Sequence, residues 1–291
     1  MEGATISSQS STPPTSNHDA SIVIVNTHDS LETLISCFER LPNEPPAFVF
    51  LDAKGTSHNR LAELHFLFRP VNALYIVQTA HIEDSSLFLN NVNKSLGRVL
   101  ESTSISKVGF DLRDIARALF SQYNINLRGV LDIQLMELAS RADKTYLAGF
   151  DKCVCQDLPS SEPNSFPRSP KSQADGDSGS VATNGNHCST TLRRVEMFPA
   201  LWTIYRGRLS SPGEAFWLRS ARFESDTRIQ DAIKDNRSQQ PRNLGPFRWW
   251  DPESLLESIW DWNEEVLMEQ RIGQWRLNEN AEWIDRDGNR C

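Results

Sequence analysis

The chain has 291 residues, 38% of them hydrophobic, and carries 30 Lys and Arg against 38 Asp and Glu, a formal net charge of -8. This length suffices for one sizeable hydrophobic core, or for one core with an appended helical subdomain. The acidic balance argues against a protein that coats nucleic acid, although a protein that grips one strand end needs only a local basic groove.

Neither a membrane span nor a signal peptide is indicated. No stretch approaches the ~20 apolar residues needed to cross a bilayer. Residues 1–20 are rich in Ser, Thr and Pro and lack the basic and apolar regions of a signal peptide. We therefore expect residues 1–20 to be disordered and the protein to be intracellular, in the nucleus or the cytoplasm, without a membrane partner. The five cysteines form no paired CxxC motif, so neither a disulfide framework nor a structural zinc site is expected.

Residues 21–158 alternate β-branched or apolar runs with amphipathic stretches. The expected strands are Ser21–Val25, the apolar run that ends at Asp52, Leu61–Phe68, Ala73–Thr79, Lys107–Phe110 and Gly129–Leu131. The expected helices are the segment that Asp29 caps and that runs through Leu41, Glu83–Leu100, Leu112–Tyr123, and Ile133–Arg141 with Asp132 as its cap. This order predicts an α/β fold in which helices cover a mixed sheet.

The second half of the chain differs in composition. Residues 159–190 are rich in Ser, Pro, Gly, Asn and Asp with almost no large apolar side chains, which is typical of a flexible insertion. Residues 191–291 resume a helical periodicity and hold all eight tryptophans. These tryptophans fit core packing better than nucleobase stacking, because Trp is also the largest side chain available to fill a core.

The segment Pro252–Met268 predicts a stable helix, since it combines an early proline and an acidic first turn with apolar residues at helical spacing. Its outer face is strongly acidic and would repel a phosphate backbone. A nucleic-acid path is therefore expected on the opposite side, near Arg206, Arg208 and Arg219. The alternative is an ordinary solvated helix face.

Three segments carry a family resemblance: Phe48–Gly55, Lys107–Arg141 and Phe198–Trp217. The middle segment is the most specific, because it follows the family's order of strand, helix, strand and helix. Together the segments resemble the RNase D and Werner-type 3'-5' exonuclease domain of the DEDD superfamily, and most closely the exonuclease-domain proteins of fungi. The resemblance implies a ribonuclease H-like mixed sheet flanked by helices, with residues 191–291 supplying its closing helix and a Trp-rich helical extension.

In that family, converging carboxylates hold two divalent metal ions, Mg2+ or Mn2+, which activate the attacking water and stabilise the leaving oxygen of a phosphodiester. Carried over residue by residue, the resemblance makes Asp52 the first of these carboxylates, a catalytic residue and metal ligand. Lys54, Ile115 and Arg194 stand at the other ligand positions. The resemblance thus implies a degenerate site, because a lysine and an arginine stand where metal ligands should be.

Asp111 and Asp114 are candidate substitute ligands, because both lie close to the third ligand position in the sequence. The alternative is an ion pair of Asp52 with Lys54 or Arg194 that occupies the metal site. Basic side chains there could also meet a phosphate directly. The candidate nucleic-acid contacts are Lys54, Arg194, Arg206 and Arg208.

Three functions follow from these features. In the first, which the cations at ligand positions favour, the chain is exonuclease-like but catalytically impaired, holds 3' ends of single-stranded RNA or DNA, and uses no cofactor. In the second, substitute carboxylates bind Mg2+ or Mn2+ and the chain is an active 3'-5' exonuclease. In the third, it is a scaffold for a protein partner or a degenerate paralogue.

Overall fold

The computed structural model of the chain describes residues 20–41, 48–55, 61–69, 71–82, 88, 95–158, 185–234, 241–272, 275–277 and 283–285. The expected disordered segment 1–20 lies outside this part, apart from its last residue. Of the expected insertion 159–190, residues 159–184 also lie outside it. Residues 185–190, however, already belong to a helix. In the described part of the chain, no helix is long and apolar enough to cross a membrane.

A six-stranded mixed sheet forms the centre of the molecule. Its strands are β1 (Ser21–Val25), β2 (Phe48–Lys54), β3 (Glu63–Phe68), β4 (Ala73–Gln78), β5 (Ser106–Gly109) and β6 (Val130–Asp132). They lie in the order β1-β4-β3-β2-β5-β6. Strand β3 is antiparallel to both β2 and β4, whereas β2, β5 and β6 run parallel. The carboxyl ends of these three strands therefore meet at one edge of the sheet.

The described helices are α1 (His28–Glu39), α2 (Thr79–Ile82), α3 (Leu96–Glu101), α4 (Arg113–Tyr123), α5 (Ile133–Ala139), α6 (Phe150–Asp157), α7 (Gly185–Arg208), α8 (Ala215–Ile233), α9 (Phe247–Trp250) and α10 (Pro252–Ile272). A small hairpin of β7 (Trp275–Leu277) and β8 (Trp283–Asp285) follows α10. The α/β class and the mixed sheet covered by helices are confirmed, and α10 begins at the expected proline.

Two expected helices need correction. Thr27, and not Asp29, caps α1, because the Thr27 and Ser30 side chains form a reciprocal capping box. The expected helix Glu83–Leu100 is not continuous, because Ser95 is the N-cap of a helix that starts after it, while residues 83–87 and 89–94 lie outside the described part of the chain. Its described helical part, α3, begins at Leu96 after Ser95, whose hydroxyl accepts a hydrogen bond from the Arg98 backbone. By contrast, Asp132 caps α5 as expected, accepting from the Gln134 backbone.

Successive side chains of β2 point to opposite faces of the sheet, and each face carries its own hydrophobic cluster. Val49 and Leu51 face a first cluster that packs against α1, α3 and α4. Phe50 faces the opposite side of the sheet, where a second cluster includes side chains of α5, α6, α7 and α8. Because strand side chains alternate with a period of two, Asp52 lies on the second side, beneath α7.

The tryptophans are only partly core residues. Trp249 is buried, and Trp202 and Trp217 pack against the second cluster, as the sequence predicted. Trp260 on α10 is 71% exposed, so core packing was the wrong expectation for this residue. An amphipathic helix on the outside of the molecule leaves one face in solvent, and Trp260 lies on that face.

Candidate active site

Asp52 and Lys54 lie near the carboxyl end of the central strand β2, on the same side of the sheet. The Asp52 side chain is only 5% exposed, because Arg194 lies over it, whereas Lys54 is 31% exposed. The spacing Asp52-x-Lys54 predicts that the two side chains share one side of the strand and that Asp52 points into a groove. The first expectation is confirmed. The second is wrong, because Asp52 is buried under α7.

Arg194 on α7 is the residue that covers Asp52. Its Nε lies 3.2 Å from Asp52 Oδ2, as an ion pair without the alignment of a hydrogen bond. Its Nη2 donates a hydrogen bond of 3.0 Å to the carbonyl of Phe110, and its guanidinium lies 5.0 Å from the ring centre of Phe150. Burial raises the pKa of Asp52, and the positive charge of Arg194 opposes that rise. Of the two ion pairs that the sequence allowed for Asp52, the structure forms this one.

Lys54 instead faces Glu63, its cross-strand neighbour on β3. The Lys54 ammonium lies 4.0 Å from the Glu63 carboxylate, which also makes a 3.1 Å hydrogen bond with the fully buried His65. His65 in turn stands opposite Asp52. The hydrogen bond from His65 lowers the pKa of Glu63, against the effect of burial. Sequence reasoning missed Glu63 and His65, and only the register of β2 against β3 reveals them.

The two candidate substitute ligands have arginine partners. Asp111, whose backbone is in the left-handed region (φ 53°), is held by Arg113 through hydrogen bonds of 2.6 and 2.8 Å. Burial alone would raise the pKa of Asp111, but its arginine neighbours hold that pKa well below the usual range. Asp114 has a side chain that is 41% exposed, and it pairs with Arg117 and Arg242. The third family position, Ile115, is a buried residue of the first core cluster.

A second buried charge network lies one strand further along the same edge. The Arg228 guanidinium on α8 donates to the carboxylate of Asp132 at 2.7 Å and to Gln134 at 2.9 Å. Burial raises the pKa of Asp132, and Arg228 opposes the rise. Sequence reasoning missed this pair because nothing in the sequence relates α8 to the end of β6.

Arg206 and Arg208 lie apart from this site. They occupy the last turn of α7, roughly 20 Å along the helix from Arg194 at 1.5 Å per residue. Arg208 pairs with Asp157 of α6, and Arg206 lines a separate cavity of about 240 Å³ beside Trp202. The structure therefore brings Arg194 to Asp52 but leaves Arg206 and Arg208 at a distance.

The side chains around Asp52 do not fit a pair of divalent cations. Among the residues that the structure describes, no three His, Cys, Asp or Glu side chains come together in a way that could hold a metal ion. Asp52, Glu63 and Asp111 each have a cationic partner instead. Two-metal catalysis needs several unpaired carboxylates to offset the charge of the ions.

Comparison with known proteins identifies the fold. No protein-family model matches the chain, and neither does any curated protein. Among solved structures, Trypanosoma brucei RNase D in complex with RNA U12 is similar, with a TM-score of 0.56 and 13% identity over 81% of this chain and 79% of that one. Escherichia coli RNase D, an exoribonuclease involved in structured RNA processing, is also similar (TM-score 0.51, 14% identity, 73% of this chain and 50% of that one).

The catalytic core of RRP6 from Trypanosoma brucei gives a comparable match, with a TM-score of 0.51 and 14% identity over 76% of this chain and 55% of that one. At such low identities the likeness establishes the fold alone. That fold is the ribonuclease H-like architecture of these exonucleases, as the resemblance implied.

Proposed function

We propose that the chain binds single-stranded nucleic acid through an exonuclease-type fold and does not cut it, because its catalytic centre is closed by an internal ion pair. The observation that carries this proposal is the approach of Arg194 Nε to within 3.2 Å of Asp52 Oδ2. A guanidinium at this point neutralises the carboxylate that would otherwise bind a cation, and it adds a positive charge that repels one.

Further ion pairs support a loss of turnover. Lys54 stands near the end of the same strand and faces Glu63, so a second cation lies beside the first. The nearest sequence candidates for a substitute ligand, Asp111 and Asp114, are each bound by arginines. Recruiting Asp111 would break a largely buried ion pair with Arg113, and the gain would have to exceed that loss.

Binding of nucleic acid is proposed from the fold and from the charge of the closed site. Structures of this fold include an RNase D bound to RNA and an exoribonuclease. In this chain the two cations remain part-exposed, 31% for the Lys54 side chain and 36% for that of Arg194. Each can meet a phosphate oxygen from the solvent side while its carboxylate partner holds it in place.

An active 3'-5' exonuclease is the second candidate, and Glu63 is the observation that favours it. This carboxylate is the cross-strand neighbour of Lys54, and their 4.0 Å separation is a loose contact. If Lys54 moved away, Glu63 and Asp52 would be two carboxylates on adjacent strands of the same side of the sheet. A metal ion would then have to displace Arg194 as well.

The two candidates separate when binding and cleavage are measured in one sample. Single-stranded RNA and DNA labelled at the 5' end are titrated with the protein in Mg2+, in Mn2+ and in EDTA, with fluorescence anisotropy to detect binding and a denaturing gel to detect shortening. We expect binding under all three conditions and full-length strands throughout. Metal-dependent shortening of the RNA or DNA would support the second candidate. If the protein bound neither RNA nor DNA, both candidate functions would be contradicted.

A further inference from the structure

A cavity of about 470 Å³ lies at the same edge of the sheet as the closed site. Its walls are one face of α8, the first residue of α4, and the segment 241–248 that leads into and includes the start of α9. The volume lies within the range of small-molecule sites, whereas the cavity beside Trp202, at about 240 Å³, lies below it. The space is thus large enough for a ligand the size of a nucleotide.

The segment 241–248 is fixed by backbone hydrogen bonds, so the cavity is preformed. Leu147 donates from its backbone to Asn243 at 2.9 Å, and Gly245 donates to Thr145 at 2.8 Å. Gly245 also packs so closely that a Cβ there would lie 2.5 Å from the carbonyl oxygen of Lys144. A wall held by such contacts keeps its shape before a ligand arrives, which lowers the entropic cost of binding.

Four arginines line the cavity: Arg113, Arg228, Arg242 and Arg248. Two of them, Arg113 and Arg228, are largely buried and are committed to Asp111 and Asp132. Arg242 is different, because its side chain is 57% exposed and its pair with Asp114 faces solvent. Exposed pairs contribute less than about 1 kcal/mol, so a phosphate can take the place of Asp114 on Arg242. Arg248 is exposed and has Glu224 as its charged neighbour.

Two exposed aromatic rings and two carboxylates also line the cavity. Phe223 is 57% exposed and Phe247 is 44% exposed. The Phe247 ring is held edge-on against Trp250, with the ring centres 5.1 Å apart, so one of its faces has a fixed position. Glu224 and Asp231 of α8 lie on the same wall and supply acceptors for the N–H groups of a base.

We propose that this cavity binds one nucleotide, with its phosphate on Arg242 and Arg248 and its base against Phe247 or Phe223. The combination of exposed guanidinium groups with part-exposed aromatic faces is the chemistry that recognises a phosphate joined to a planar ring. This inference rests on the function proposed above, and it specifies where one unit of the bound strand is held.

The place of the cavity agrees with this role. Arg194 of the closed site donates to the carbonyl of Phe110, the next residue is Asp111, and Asp111 is bound by Arg113, which lines the cavity. The closed site and the cavity are therefore connected by consecutive residues at the end of β5. A nucleic-acid strand whose end reaches Arg194 can place the neighbouring nucleotide in the cavity, because both sites lie at the same edge of the sheet.

Titration calorimetry with adenosine 5'-monophosphate tests the cavity. Separate titrations with adenosine and with inorganic phosphate measure the contributions of the base and of the phosphate. The variant Arg242→Gln/Arg248→Gln should weaken binding of the nucleotide by about tenfold or more, since each guanidinium makes a charge-assisted contact. Phe247→Ala should weaken both the nucleotide and adenosine. Arg98→Gln and Phe120→Ala change the same residue types on α3 and α4, outside the lining, and should leave affinity unchanged.

The inference is supported if the wild type and the control variants bind the nucleotide and the cavity variants do not. An absence of binding to the wild-type protein, or equal affinity in all variants, would overturn it. Thermal melting identifies any variant that has failed to fold, in which case Arg248→Lys, which keeps the charge, should retain part of the affinity. A short oligouridylate is titrated in parallel. If it binds equally to wild type and cavity variants, the proposed function stands and the nucleotide cavity does not.

Discussion

Asp52 and Arg194 connect the central strand to the helix that crosses it, with Nε of the arginine 3.2 Å from Oδ2 of the aspartate. The aspartate is almost fully buried, whereas the arginine is 36% exposed and also hydrogen-bonds the carbonyl of Phe110. One contact therefore attaches α7 to β2. In the proposed function, the same contact also closes the catalytic centre to a metal ion.

The first prediction concerns this pair. Arg194→Met should lower the free energy of unfolding by about 2 kcal/mol, because it leaves a buried carboxylate without its charged partner. Combining it with Asp52→Leu should restore most of that loss, since an apolar pair of similar volume needs no desolvation of charge. Urea unfolding of the wild type, both single variants and the double variant measures the coupling. Losses that simply add in the double variant would show that the two residues do not interact.

The second prediction concerns Arg228. Among the described residues, Arg228 is the only arginine that donates a hydrogen bond to the buried Asp132 carboxylate. Arg228→Met should therefore lower the free energy of unfolding by about 3 kcal/mol or more. Arg219→Met is the matched control on the same helix, because the pair of Arg219 with Glu265 is exposed and contributes less than about 1 kcal/mol. Equal losses in the two variants, measured by urea unfolding, would argue against a structural role for the buried network.

The third prediction concerns Lys107 on β5, whose ammonium is buried and donates to the carbonyls of Val99 and Ser102 at the end of α3. Burial lowers the pKa of Lys107 to about 7. Between that value and the ordinary lysine pKa of about 10.4, the unfolded chain holds a proton that the folded chain has released. The contribution of Lys107 to stability therefore rises with pH across this window.

Urea unfolding at about pH 7 and about pH 9 tests this dependence. The wild type should gain roughly 2 kcal/mol relative to Lys107→Met over these two pH units, because the variant lacks the titrating group. Lys234→Met, at the exposed end of α8, should follow the wild type at both pH values. If the free energy of unfolding changed equally with pH in wild type and Lys107→Met, the pKa of Lys107 would lie near its ordinary value.

The fourth prediction concerns the wall of the nucleotide cavity. Gly245→Ala puts a methyl group 2.5 Å from the Lys144 carbonyl oxygen and 2.6 Å from Leu138 Cδ2, so the segment 241–248 must shift. We expect a loss of about 1 to 3 kcal/mol in stability together with weaker nucleotide binding. Gly207→Ala is the control, because a Cβ there meets nothing within 4 Å and alanine favours the helix. Unchanged nucleotide affinity in Gly245→Ala would show that the wall does not shape the cavity.

Much of the sheet could be predicted from the sequence, because its strands are apolar runs bounded by polar turns. The antiparallel pair β3 and β4 follows from two such runs and the short turn between them. The residue at which a helix begins is harder to predict, as the expected helix Glu83–Leu100 shows. The apolar periodicity runs on both sides of Leu96, where α3 begins. Only the hydroxyl of Ser95 marks that start.

The site could be predicted only in part. The family resemblance puts Arg194 at a ligand position, and its contact with Asp52 agrees with that placement. Glu63 was missed because a strand does not carry its register in its own sequence, and a shift of one residue would turn it to the other side. Arg228 was missed because its partner Asp132 lies on a distant strand, joined to it only by packing of α8.

The most direct test of the closed catalytic centre is degradation of end-labelled single-stranded RNA and DNA in Mg2+ and in Mn2+, with wild type beside Asp52→Ala. The ion pair predicts that neither protein shortens the strands from the 3' end, because Arg194 and Lys54 stand where cations would bind. The contradicting result is metal-dependent 3' shortening by the wild type that disappears in Asp52→Ala. That outcome would mean that Arg194 leaves Asp52 during turnover and that Glu63 or Asp111 completes the metal site.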